Sequence, residues 1–113
     1  MSSKMKMAFM ALVPDADPQE HRCTMETGLV EIVFVFAANM DQAVDVAKQL
    51  ADEGCSVIEL CGGFGNSMTG KVADAVRGKA AVGAVRFDLH AAFAKSSDEI
   101  FGGTGDDTID GEG

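Results

Sequence analysis

Two segments of helical length, each closed by a glycine, separate three apolar runs, and this spacing constrains the fold more than any other feature of the chain. The first run, Leu29 to Ala37 (LVEIVFVFA), is rich in β-branched and aromatic residues and reads as a central strand. Asn39 follows as a helix cap, with Gln42 at the capping-box position. Met40, Ala43, Val44, Ala47, Leu50 and Ala51 then recur at helical spacing, and Gly54 stands where a C′ glycine stops a helix. Ser56 to Cys61 is the next strand. Asn66 or Ser67 caps a second helix, whose inner face carries Met68, Val72, Ala75 and Val76 and which Gly78 ends. Ala81 to Phe87 (AVGAVRF) is the last strand. Strands joined by helical crossovers run parallel, in right-handed βαβ units.

Upstream, Lys6 to Val13 is an apolar run closed by Pro14, a first strand. The polar loop PDADPQEHRCTMETG follows, and without a helical pattern it leaves the direction of that first strand open. Leu89 to about Ile100 reads as a third helix, anchored by Leu89, Phe93 and Ile100. The expectation is an α/β domain over residues 1–100, with a small, mostly parallel four-stranded sheet, the order β-β-α-β-α-β-α and flanking helices. Residues 101–113 form an acidic, Gly-rich tail. A chain of 113 residues holds one such domain, and with no Trp or Tyr its core is built from Phe, Val, Leu, Met and Ala. So small a sheet leaves apolar surface uncovered, which points to a homo-oligomer.

The net charge of −9 argues against nucleic acid and anionic membranes as partners. Six acids and no base lie from Asp98 onward, so the folded part is only mildly acidic. The longest apolar run, Ile32 to Ala38, is far too short to span a bilayer. Three cysteines, Cys23, Cys55 and Cys61, cannot all pair within one chain, and the start lacks a basic-then-apolar leader. Both features point to a reduced, cytoplasmic protein.

Parallel βαβ units bring their βα loops to the carboxyl edge of the sheet, where open α/β sheets bind ligands. Three segments meet there: Ala37 to Asn39, Cys61 to Asn66, and Arg86 to His90. In VIELCGGFG, Gly62, Gly63 and Gly65 let the backbone turn sharply and let a ligand approach, and the loop feeds a helix N-terminus that favours an anion. A phosphate or carboxylate at Gly62, Gly63 and Asn66 is one reading; a tight turn that binds nothing is the other. The pattern is neither a P-loop nor G-x-G-x-x-G. Alternation puts Val57, Glu59 and Cys61 on one face of their strand, and Ala84, Arg86 and Asp88 on one face of theirs. Glu59 and Arg86 then pair on one side, either as a structural ion pair or as a pocket where Arg86 holds an anion and Glu59 acts as base or acceptor. Glu31 faces that pocket or solvent. Cys61, just before a helix, is the candidate nucleophile, with His90 as its base; a small core cysteine and a solvated histidine explain the same residues. Asp15, Asp17, Glu20 and His21 are of types that bind divalent metals, but their spacing fits no metal motif and a capped turn at Asp17-Pro18 explains them.

Gly102 to Asp110 (GGTGDDTID) matches G-G-x-G-x-D-x-U-x, with Asp107 as the acid and Ile109 as the apolar residue. The tail therefore resembles a calcium-binding nonapeptide of the RTX repeats. That resemblance implies calcium at Asp107, although a stack needs about three turns and the tail has about one and a half; a solvated acidic tail is the alternative. The stretches AFMALVPDADPQEHR, VIELCGGFG and VGAVRFD together resemble a group of short bacterial α/β proteins of unassigned function, over most of residues 6 to 88. The resemblance implies a stand-alone domain with a strand-end site at Glu59, Cys61, Gly62, Gly63, Arg86 and Asp88. It implies no activity, and the cofactor is left open apart from calcium at the tail.

Three functions follow. One is a module binding a small anionic metabolite through Asn39, Gly62, Gly63, Gly65, Asn66, Arg86 and Asp88. Another is an enzyme using Glu59 as acid/base or Cys61 as nucleophile with His90. The last is an oligomer-forming structural protein without a ligand.

Overall fold

The structure, a computed structural model, describes residues 4–87. Its elements are β1 (Met5–Leu12), β2 (Arg22–Glu26), β3 (Val30–Ala37), α1 (Met40–Asp52), β4 (Val57–Leu60), α2 (Asn66–Ala75) and β5 (Ala81–Ala84). The expected third helix at 89–100 and the tail, with Asp88, His90 and Asp107, lie outside the described residues.

The sheet has five strands rather than four, in the order β2-β3-β1-β4-β5. The extra strand, β2, comes from the stretch read as loop. It is antiparallel to β3, with Cys23 opposite Phe34 and Met25 opposite Ile32. The Thr27 hydroxyl accepts from the Leu29 and Val30 amides at 3.1 and 3.2 Å, and the Thr27 amide donates to the Val30 carbonyl at 2.9 Å, which closes the hairpin. β2 also settles the direction left open. The chain reverses once into β2 and once into β3, so β3 regains the heading of β1 and pairs with it in parallel.

α1 follows its sequence signals closely. The Asn39 side chain accepts from the Gln42 amide at 2.9 Å, and Gln42 reaches back to the Ala38 amide at 2.8 Å, one residue earlier than a standard capping box. Met40, Ala43, Val46, Ala47 and Leu50 form the buried face. Gly54, at φ +105°, and Gly78, at φ +84°, take left-handed backbone that a side chain disfavours and turn the chain after each helix. The last strand is shorter than expected, ending at Ala84 rather than Phe87.

The crossovers decide where the core lies. β3-α1-β4 passes over β1, and β4-α2-β5 continues across the sheet in the same direction. Two right-handed crossovers in one direction place both helices on one face. Ala8, Met10 and Leu12 of β1, Val33, Val35 and Ala37 of β3, and Ile58 and Leu60 of β4 point into that face and pack with Leu50, Phe64, Met68, Val72 and Val76. At its amino edge, Lys6 donates to the Glu53 carbonyl at 3.2 Å, a cation at the end of α1, and lies 3.8 Å from Glu31. The opposite face carries no helix among the described residues. It presents Met7 and Phe9 of β1, Ile32, Phe34 and Phe36 of β3, and Val57 of β4.

Candidate functional site at the carboxyl edge

The parallel strands bring Ala37 to Asn39, Cys61 to Asn66 and the chain after β5 as far as Phe87 to one edge. Backbone bonds carry the strand ends past their last paired residues: Val13 donates to Ala37, Cys61 to Met10 and Val85 to Leu60, at 2.9, 3.0 and 3.0 Å. Asn39 is at this edge, but its side chain oxygen is engaged as the α1 cap.

The glycine loop is buried, and packing explains its first glycine. Phe64 is 1% exposed, a core side chain anchored below the loop. Its amide donates to the Cys61 carbonyl at 3.1 Å, and the Gly63 amide donates to the Cys61 Sγ at 3.4 Å. A Cβ on Gly62 would stand 2.3 Å from Cε2 of Phe87. Gly62 is therefore glycine because a ring rests on it, and none of the loop glycines has a positive φ. Asn66 and Ser67 are not the cap of the second helix, as expected, but its first residues. Gly65 holds the cap position at φ −88° with no side-chain bond, and its carbonyl accepts from Thr69. The buried Phe64 fixes that frame by pulling the chain inward one residue before the helix starts.

Glu59 sits near the end of β4. It is exposed, and the β4–β5 register sets it opposite Gly83. Gly83 therefore shares the face of Glu59, whereas Ala84, expected on that face, belongs to the helix face. Glu31 is on the helix face beside Lys6, away from Glu59. On the open face, Glu59 is the one charged residue that the five strands present. Glu59, Gly83, Ala84 and Val85 line a hollow of about 280 Å³. A side chain on Gly83 would meet nothing within 4 Å, so the space beside the carboxylate is open.

The nucleophile reading gains no geometry here. Cys61 is half-buried with its sulfur turned to the Gly63 amide, and His90 falls outside the described residues. Cys55 is 1% exposed, and burial pushes its thiol pKa up, so it stays protonated and inert. The Asp17 loop is a local turn: the Gln19 amide donates to Asp17 Oδ1 at 2.9 Å, and the Asp17 amide donates to His21 Nδ1 at 2.8 Å. Among the described residues no cluster of three metal-ligating side chains exists. Nor is any helix there long and apolar enough to cross a membrane.

Sequence reasoning missed a second hollow, of about 200 Å³, lined by His21, Arg22, Cys23, Phe34 and Phe36. The His21 ring lies over Phe36 with centroids 6.4 Å apart. The signal was present: Cys23 and Met25 alternate with polar residues as an edge strand does.

Neither the curated proteins nor the solved structures contain a match to this chain. A family model does match, over residues 5–98, and it runs from the first strand through Glu59, the glycine loop and Arg86. On that match the chain belongs to the family of unknown function DUF6506.

Proposed function

We propose that this domain binds a small ligand at the carboxyl edge of the sheet, in the hollow beside Glu59, Gly83, Ala84 and Val85. The observation that carries this reading is the lone carboxylate on an apolar sheet face, set opposite a glycine with open space beside it. A glycine inside a strand is destabilising by roughly 0.5–1 kcal/mol, and a charge on an apolar face forgoes packing. Such a pair suits recognition: Glu59 accepts hydrogen bonds from an amine or hydroxyl, and Gly83 leaves the room. The anionic end of the ligand falls to Arg86, which follows β5 just past the lining of the hollow. The chemical class is then a small amino or hydroxy acid, or its phosphate counterpart.

The test is backbone amide NMR on the full-length protein, with small amino acids, α-hydroxy acids and inorganic phosphate added in turn. One of these should shift the Gly83 and Val85 amides in a saturable way. Glu59→Gln should abolish the amine or hydroxyl response and Arg86→Gln should weaken the anion response. Unmoved amides throughout, or shifts that persist in Glu59→Gln, would overturn the reading.

A further inference from the structure

We infer that the helix-free face of the sheet is the interface with a second copy of this chain, packed sheet to sheet. β1 (MKMAFMAL) and β3 (VEIVFVFA) are nearly continuous apolar runs, the composition of strands covered on both sides. One cover is in place. Both crossovers run the same way across the sheet, so residues 4–87 place no helix over the other side. The rim of that side is wet, with Met25 66% exposed, Met5 46% and Phe36 40%, and Phe9, Ile32 and Phe34 at its centre are half-buried.

Size and charge indicate what fits. With strands about 4.8 Å apart and a rise near 3.3 Å per residue, the five strands present a flat projection of roughly 450 Å². Standing side chains enlarge the accessible area beyond that, toward the roughly 800 Å² per partner of a specific interface. Before Asp98 the chain carries twelve acids against nine bases, and among the described strands these charges lie off this face apart from Glu59. This face has a single strand charge, Glu59, near its flank, and its centre is Phe9, Phe34 and Ile32. Two copies can meet here without opposing charges, and a two-fold axis makes one apolar patch its own complement. Aligned sheets pack about 10 Å apart with interdigitated side chains. This inference does not depend on a ligand beside Glu59.

Sedimentation equilibrium on the full-length chain, from about 1 μM to about 200 μM, reads the association directly. The expected result is a dimer that Phe34→Lys converts to a monomer with unchanged circular dichroism, while Glu59→Gln leaves it intact. If Phe34→Lys does not fold, Met25→Lys, on the same face at an exposed edge position, should raise the dissociation constant at least about tenfold. Cys23 adds an independent readout, since it is exposed on this face in the single chain. Its alkylation should slow as protein concentration rises. A monomer over the whole range overturns the inference, and is the outcome expected if residues 88–113 of the same chain cover the face. A dimer indifferent to both substitutions, or a Cys23 rate independent of concentration, overturns it as well.

Discussion

Replacing Gly62 by alanine tests why the loop after β4 is glycine. The new Cβ would stand 2.3 and 2.4 Å from two ring carbons of Phe87, against about 3.5–4.0 Å for carbon atoms in contact. The ring must move by more than an ångström. Phe87 is 39% exposed, so it has solvent to swing into, and the loss is that of its packing over the loop. Overpacking of this kind costs about 1–3 kcal/mol, and each kcal/mol lowers Tm by roughly 4–8 °C in a domain near this size. In a Phe87→Ala background nothing opposes the added methyl. The φ at Gly62 is not positive, so alanine there is neutral or stabilises by up to about 1 kcal/mol through the unfolded chain. Gly62→Ala should therefore change sign between the two backgrounds. Urea unfolding of the four proteins at one protein concentration gives the cycle. Equal effects in both backgrounds, within about 0.3 kcal/mol, would refute the packing explanation and return Gly62 to the ligand.

Other substitutions read separate parts of the structure. Asn39→Ala removes the α1 cap and should lower stability by about 1 kcal/mol, seen as a shift in urea midpoint with an unchanged slope. Phe64→Ala empties a side chain that is 1% exposed and should cost about 3–5 kcal/mol, followed by thermal unfolding. Burial raises the Cys55 thiol pKa in the folded state. Its contribution is therefore fully present below the unfolded thiol pKa, about 8.5, and is lost as pH rises through the folded value. The fall in stability on the alkaline side should flatten in Cys55→Ala; an identical pH profile for both proteins would contradict this.

The parts of the fold that were legible in sequence are those fixed by local chemistry. Asn39, Gln42 and Gly54 mark α1 by hydrogen bonds and a backbone angle that neighbouring residues determine, and the two crossovers follow from length alone. β2 was only faintly legible: Cys23 and Met25 alternate with Arg22, Thr24 and Glu26, but an edge strand pairs on one side only and its polar residues read as a loop. The site was half legible. The carboxyl edge is a consequence of parallel strands, and it does collect the glycine loop and the end of β5. The partner of Glu59 depends on the register between β4 and β5, which alternation within each strand does not contain. A shift of one residue exchanged the face of Ala84 for that of Gly83. The role of Gly62 was hidden for a similar reason: it is set by Phe87, a residue distant in sequence that arrives through the crossover.

What lies over the second face of the sheet is best read by native mass spectrometry of the full-length protein as purified. The structure predicts a species at twice the 11.8 kDa chain mass, carrying a small adduct that is absent from Glu59→Gln. An adduct-free monomer would contradict both the paired sheets and the hollow beside Glu59.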